Sequence, residues 1–470
     1  MERMTKFVEL AAAPPSARAP AARRGDFNEI QAAFKAEQAA AQASRCAQCG
    51  VPFCQNACPL HNNIPDWLRL TAEGRTEEAY ELAAATNSMP EICGRICPQD
   101  RLCEGDCVIE QSGHGAVTIG AVEKHIAEAA WEYGWVRPLA PRRERPESIG
   151  IIGAGPAGLA AAESLRARGY KVTVYDRHDR AGGLLTYGIP DFKLEKHIVA
   201  RRVQRLIDGG ITFQLSCDVG ADIAFADVRA NHDAILVATG VYQARPLRVA
   251  NAGTALPALD YLIAANRAEI GNASGEPIAK NKDVVVIGGG DTAMDCVRTA
   301  VRQGAASVTC LYRRDRDNMP GSGREVKYAE QEGVRFEWLA APKAIRGGKT
   351  PVVKAVRMRL GAPDSGGRRA PEEVDNSEFA LPADLVIAAL GFDPEELPKI
   401  WNTPSLETSA WGTLAVNWSY ATSLPGVFAA GDIVRGASLV VWAIREGRDA
   451  ADGIHAALTA RAAAACIAAE

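Results

Sequence analysis

The sequence predicts an α/β chain built on two dinucleotide-binding βαβ units and preceded by an α-helical, cysteine-rich region. Two stretches carry the first half of that prediction, 149-IGIIGAGPAGLAAAESLRARGYKVTVYDR-177 and 283-DVVVIGGGDTAMDCVRTAVRQGAASVTCLYRR-314. Each reads as apolar strand, glycine turn, helix and second strand, and their first glycines lie 135 positions apart. A unit repeated at that distance is an internal repeat, not two coincidental turns. The second half rests on cysteine use: eight of the 12 cysteines fall between Cys46 and Cys107.

Composition narrows the class before any motif is read. A chain of 470 residues, 47% hydrophobic and 23% charged, has room for several cores, and the usual domain size suggests about three. A formal net charge of −4 gives no basic excess for nucleic acid. No run of about 18 apolar residues occurs, so no membrane partner is expected. The first 25 residues, MERMTKFVELAAAPPSARAPAARRG, are rich in Ala, Pro and Arg without an apolar signal core, and are expected to form a loosely ordered terminus. The chain is therefore expected to work in the cytoplasm, where structural disulfides are disfavoured.

The N-terminal region, residues 1–147, shows helical spacing of apolar positions at 28–44 and 120–134. Between these helices lie Cys46-x2-Cys49-x4-Cys54-x3-Cys58-Pro59 and Cys93-x3-Cys97-Pro98, followed by Cys103-x3-Cys107. Zinc ribbons use paired C-x2-C spacing, which neither half repeats. Haem attachment needs C-x-x-C-H, and Gly50 follows Cys49. Eight thiols match two [4Fe–4S] clusters at four thiolates each. In the bacterial ferredoxin run the last cysteine ligates the other cluster. By that logic Cys58 joins Cys97, Cys103 and Cys107, while Cys46, Cys49 and Cys54 take Cys93 as a fourth ligand. Glu123 is the alternative fourth ligand, and a zinc-stabilised interaction module remains the competing reading. A linker rich in proline and charge, 137–148, ends the region.

In the first βαβ unit, Gly153, Gly155 and Gly158 form G-x-G-x-x-G around Pro156 and Ala157. The first glycine permits the turn, the second lets a pyrophosphate approach, and the third lets the helix pack on the sheet. The helix N-terminus then faces the diphosphate, and Asp176 ends the second strand where an acid binds ribose hydroxyls. The second unit carries Gly288, Gly290 and Ala293 with Asp291 and Thr292 between them. Here Arg313 and Arg314 occupy the strand end, and guanidinium groups suit the 2′-phosphate of NADPH.

Two such units imply FAD beside a nicotinamide. The turns 237-VATG-240, with Gly240, and 388-AALG-391 suit crossings between two domains. Further FAD candidates are Gly182, Gly183 and Leu184 in 182-GGLLTYGIPDFKL-194, and Gly431-Asp432 ahead of a helix expected over 440–458. The flavin domain is thus expected at 148–250 and 388–470, with the NADPH domain at 251–387.

The Gly431-Asp432 stretch resembles the second flavin motif of the two-dinucleotide-binding-domain flavoproteins, relatives of glutathione reductase. The resemblance implies a glutathione-reductase-like Rossmann pair behind the helical iron–sulfur domain. It also implies that the Asp contacts the ribityl–phosphate region. Unlike disulfide reductases, the 182–190 stretch has no cysteine pair, so electrons need another outlet. From about residue 26 to 458 the chain resembles the small (beta) subunits of bacterial NADPH-dependent glutamate synthases. The same module is similar to parts of dihydropyrimidine dehydrogenase and of a ferredoxin:NADP oxidoreductase, which leaves another electron acceptor as the alternative. The glutamate synthase resemblance implies hydride transfer from NADPH to FAD and single electrons through two [4Fe–4S] clusters. They pass to a large (alpha) subunit that makes L-glutamate from glutamine and 2-oxoglutarate. No general acid or base is expected in this chain, and no glutaminase site.

Overall fold

The computed structural model describes residues 2–271, 276–348, 351–363 and 369–468. Two five-stranded parallel sheets carry the two glycine turns. The first runs Val427–Ala429, Ala234–Val237, Ser148–Ile152, Lys171–Tyr175 and Thr212–Gln214. Its central strands are buried on both faces, which is why they read as unbroken Val/Ile/Leu runs without alternation. The edge strand Val427–Ala429 arrives from the far end of the chain, so this sheet closes only after the chain has left and returned.

The second sheet runs Leu256–Pro257, Leu385–Ala388, Asp283–Ile287, Ser307–Tyr312 and Arg335–Trp338. The two crossings between the sheets follow Gly240 and Gly391 and pair with each other as short antiparallel strands, Gln243–Ala244 with Phe392–Asp393. A three-stranded antiparallel sheet over 340–382 packs onto the second unit; its long strands were not distinguished in the sequence from other short apolar runs. The last helix, Val440–Ala468, runs ten residues beyond the expected end at 458 and packs along Pro156–Ala167.

The N-terminal helices Ala36–Ala43, Ile64–Ala72, Thr76–Thr86 and Ile119–Glu132 enclose their own core around Trp67, Leu68, Val122 and Ile126, while Pro90–Ile96 sends Ile92 and Cys93 into the core of the first sheet. The helix expected over 28–44 begins only at Ala36. Its first turns are spent elsewhere: Ile30 N–H donates to Phe192 O and Ala32 N–H to Ser16 O. Backbone groups committed to those partners cannot also close a helix.

The expectation of a loose leader is likewise corrected. Residues 17 and 31 bridge antiparallel, and Arg23, 1% exposed, sits against the second βαβ unit. Its guanidinium donates to Gln331 at 2.7 Å, lies 3.4 Å from Glu332, and stacks over Tyr328. Arginines in a polar leader read as solvated; here one of them meets a buried carboxylate far along the chain.

Candidate functional site

The flavin cavity forms where the first sheet meets its glycine turn. A Cβ on Gly158 would sit 1.9 Å from Gly153 O, so only glycine lets this helix start against the turn. Gly153, Gly155, Pro156, Ala157, Asp176, Leu184, Gly240 and Asp432, eight of the expected residues, line one cavity. Gly182, Gly183 and Gly431 buttress it: Gly182 N–H donates to Ala154 O, while Gly183 and Gly431 press on Gly155 and Ala157. Asp176 accepts from Ala154 N–H at 2.7 Å and His178 N–H at 2.8 Å, which ties the turn to the strand end and leaves further lone pairs for a ribose.

Asp432 accepts from Ser438 N–H, and burial pushes its carboxyl up to about 6. Glu446 fixes the turn beside it, accepting from Gly431 N–H at 3.0 Å and from Arg435 at 2.6 Å. Thr239 Oγ1 is buried in the cavity wall with no partner among the described residues. An orphaned hydroxyl beside a glycine turn fits a bound flavin nucleotide, as does the apolar wall of Leu184, Leu439 and Val440. Thr239 and Tyr242 were missed in the sequence. Tyr242 is held by Arg177 over its ring at 4.7 Å, and Arg177 in turn grips Glu395 with both nitrogens.

The second glycine turn is as tightly built. Gly288 has φ 145°, and a Cβ there would lie 2.2 Å from Ala389 O of the returning crossing. Thr292, at the helix start, borders both the flavin cavity and an adjoining cleft that also contains Asp291. Asp291 accepts from Ser322 N–H at 2.9 Å and pairs with Arg101 of the cysteine domain at 3.2 Å. Gly290 caps the helix that carries Ala293. Arg313 is exposed and Arg314 half-buried at the end of Ser307–Tyr312. Neither forms an ion pair among the described residues, and Arg314 Nε is buried without a partner, so these donors fit an incoming phosphate.

The sequence reading also passed over Lys193 and Asp295, which meet at 2.9 Å with Glu325 4.0 Å from the amine. Burial pushes Asp295 up to about 6. Burial opposes the Lys193 ammonium, but Asp295, Glu325 and Asp291 outweigh it and hold the amine above its ordinary range. Asp295 stands one helical turn after Asp291, on the same face; that spacing was the available signal.

All eight clustered cysteines come together, in two sets that correct the expected grouping. Cys58, Cys93, Cys97 and Cys103 ring one cavity with Glu123, and the Cys93 and Cys97 thiols are in contact. Cys107 instead lies with Cys46, Cys49 and Cys54, on each of which its charge acts. The physical reason is local. Cys93 belongs to Pro90–Ile96 and Cys97 caps that helix, and residues four apart on a helix share a face. Glu123 is corrected with them: it stands in the first of these cavities, where Asn62 and Asn87 donate to it at 3.1 Å. Burial pushes it up to about 8.

Burial also pushes Cys54 up to about 12 and Cys58 up to about 11. A metal centre supplies the positive charge that turns such thiols into thiolates. Among the described residues no three His, Cys, Asp or Glu side chains converge closely enough for one mononuclear ion. Four thiols around a cavity fit the one-thiolate-per-iron demand of a [4Fe–4S] centre. Consecutive residues join the sites: Val440 lines the flavin cavity and Val441 the Cys58 cavity.

Comparison with known proteins agrees with both halves. A family described as dihydropyrimidine dehydrogenase domain II, 4Fe-4S cluster, matches residues 23–135, and pyridine nucleotide-disulphide oxidoreductase matches residues 147–447. The glutamate synthase (NADPH) small chain of Azospirillum brasilense is 59% identical over 98% of each chain. AegA of Escherichia coli (strain K12), assigned as an oxidoreductase, is 46% identical over 97% of this chain and 71% of its own. The structure of Mycobacterium tuberculosis FprA in complex with NADPH shares the fold, with TM-score 0.58 and 20% identity over 68% of this chain and 86% of that one.

Proposed function

The chain belongs to the family of glutamate synthase (NADPH) small chains, and from that premise we propose that it is the electron-input subunit of a glutamate synthase. It is an NADPH-dependent oxidoreductase with sites for FAD, NADPH and a [4Fe–4S] cluster. FAD held at Gly153, Gly155, Asp176 and Asp432 would supply the chemistry of accepting a hydride from NADPH and of passing electrons on one at a time.

The finer reading is two [4Fe–4S] clusters, one on Cys58, Cys93, Cys97 and Cys103 and one on Cys46, Cys49, Cys54 and Cys107. The observation that carries it is the step from Val440 to Val441, which sets the first thiol set against the flavin cavity. Thr292 and Asp295 border both the flavin cavity and the adjoining cleft, and so orient a nicotinamide from the NADPH side. Arg313 and Arg314 hold its 2′-phosphate. Leu439 and Val440 exclude water between the flavin and the thiols.

The acceptor is a large subunit that forms L-glutamate from glutamine and 2-oxoglutarate, and the place of work is the cytoplasm. Among the described residues no helix is long and apolar enough to cross a membrane. Mixing the purified chain with a glutamate synthase large subunit is expected to yield NADPH-dependent glutamate; absence of product overturns the assignment. Two clusters predict about eight irons and eight acid-labile sulfides per chain, whereas zinc without sulfide rejects them. A second reading, the same electron path serving another acceptor, is favoured by the 46% identity to AegA.

A further inference from the structure

The outer thiol set lies under an uncharged, partly apolar surface. No Asp, Glu, Lys or Arg occurs from residue 46 to 62. Within that stretch Val51 is 57% and Phe53 48% exposed, and Val108 across the site is 37% exposed. Each of the three is within two residues of an outer-set cysteine: Val51 of Cys49, Phe53 of Cys54, Val108 of Cys107. Large apolar side chains are ordinarily withdrawn from water, and exposed ones gathered at a functional group mark a contact surface. The inner set is different: Val441 of the flavin domain closes its cavity. Along one edge the apolar face is bordered by exposed Asp106 and Glu110.

We propose that Val51, Phe53 and Val108 form the docking face through which electrons leave this chain. Its occupant is a protein with an apolar centre, basic side chains facing Asp106 and Glu110, and a one-electron redox centre near its surface. The charge pattern selects that occupant, because an acidic rim repels an acidic partner and steers a basic one. The inference rests on the cluster reading given above and deepens it by naming the exit. One electron crosses per event: the acceptor centre is reduced by one and the outer thiolate-held centre oxidised by one. Two crossings account for the hydride of one NADPH, and no bond is made or broken at this face. Val51 is two residues from Cys49, about 7 Å of extended chain, so a docked partner meets the outer site with little protein between.

The test measures binding to a purified glutamate synthase large subunit, with iron and flavin content of every variant as the control for folding. Phe53→Glu and Val51→Asp are expected to weaken binding about tenfold or more, as central interface residues do. Phe53→Leu is expected to bind like the unaltered chain. Asp106→Asn is expected to weaken binding less and to flatten its salt dependence. Trp411 and Trp418, 87% and 103% exposed on the flavin domain, are the rival apolar surface. If Trp418→Glu abolishes binding while Phe53→Glu does not, the proposed face is overturned although the partner assignment stands. If the unaltered chain itself fails to bind the large subunit, that assignment falls, and the face falls with it.

Discussion

Arg313 and Arg314 carry the proposal, at the scale of single residues, that one strand end selects the coenzyme. They follow Tyr312 directly, beside the turn at Gly288, with no carboxylate neutralising them among the described residues. A guanidinium pair held there without an ion pair among the described residues, and with Arg314 Nε buried and unpartnered, gains most from a ligand with an extra phosphate. Replacing both by Gln is expected to raise KM for NADPH about tenfold or more, each lost decade corresponding to about 1.4 kcal/mol, with a much smaller change for NADH. Steady-state assays with the two coenzymes decide it, and equal losses would move the phosphate elsewhere. Asp432 makes a second residue-scale claim. Its carboxyl titrates near 6 when folded against an ordinary 3.8, because burial opposes the charge. The folded chain therefore holds this proton over a pH range in which the unfolded chain has lost it. That contribution is complete below about pH 4 and is lost as pH rises through 6, by about 3 kcal/mol. In flavin-stripped protein, Asp432→Asn is expected to gain thermal stability relative to the unaltered chain between pH 4 and 7, and constant spacing of the two melting points would refute it. The glycines, Asp176 and the arginine pair were legible as positions at turns and strand ends, because short spacing along the chain fixes where they stand. Thr239, Tyr242 and Lys193 were not, because their roles depend on elements that meet only after folding.

At the scale of elements, the cysteine helix explains both what was read and what was misread. The spacing of eight thiols announced the site, but ferredoxin-like crossing logic ignored that Pro90–Ile96 is a helix. Its geometry forces Cys93 beside Cys97, and Cys107 is left to face Cys46, Cys49 and Cys54. The regrouping has a non-additive consequence. Cys49→Ser and Cys107→Ser fall in one set, so the double variant is expected to retain about four irons per chain, as each single variant does. Cys49→Ser combined with Cys93→Ser strikes both sets and is expected to retain almost none. Iron analysis of the purified variants tests this, and the opposite pattern would restore the sequence-derived grouping. The βαβ units were legible for a similar geometric reason: strand, glycine turn and helix must follow one another in order. The 340–382 sheet carries no such ordered signal, and its strands became apparent only through their pairing.

For the whole molecule, the leader is the part least visible in sequence, because nothing local reports that Arg23 reaches Glu332. That carboxylate is fully buried and receives Arg298 at 2.8 Å and Arg302 at 2.7 Å, with Arg23 at 3.4 Å. Residues 28–35 tie the same segment to the flavin domain through Ile30 N–H and Phe192 O, and to the cysteine domain through Glu29 with Lys124 and Arg95. The leader therefore links all three regions, and the NADPH domain is held at one end of it. The two ends of the Arg23–Glu332 contact are not equivalent. Arg23→Ala leaves Glu332 with two guanidinium partners, and is expected to cost about 1–2 kcal/mol while releasing the leader. Glu332→Gln leaves three buried cations without their shared anion, and is expected to cost about 3–5 kcal/mol. Melting temperatures rank the two variants. Limited trypsin digestion separates the mechanisms: Arg23→Ala should speed cleavage within residues 10–35 in protein that is otherwise intact. Unchanged cleavage there, together with an unchanged melting temperature, would mean that the leader is held without Arg23 and that the NADPH domain keeps its place by other contacts.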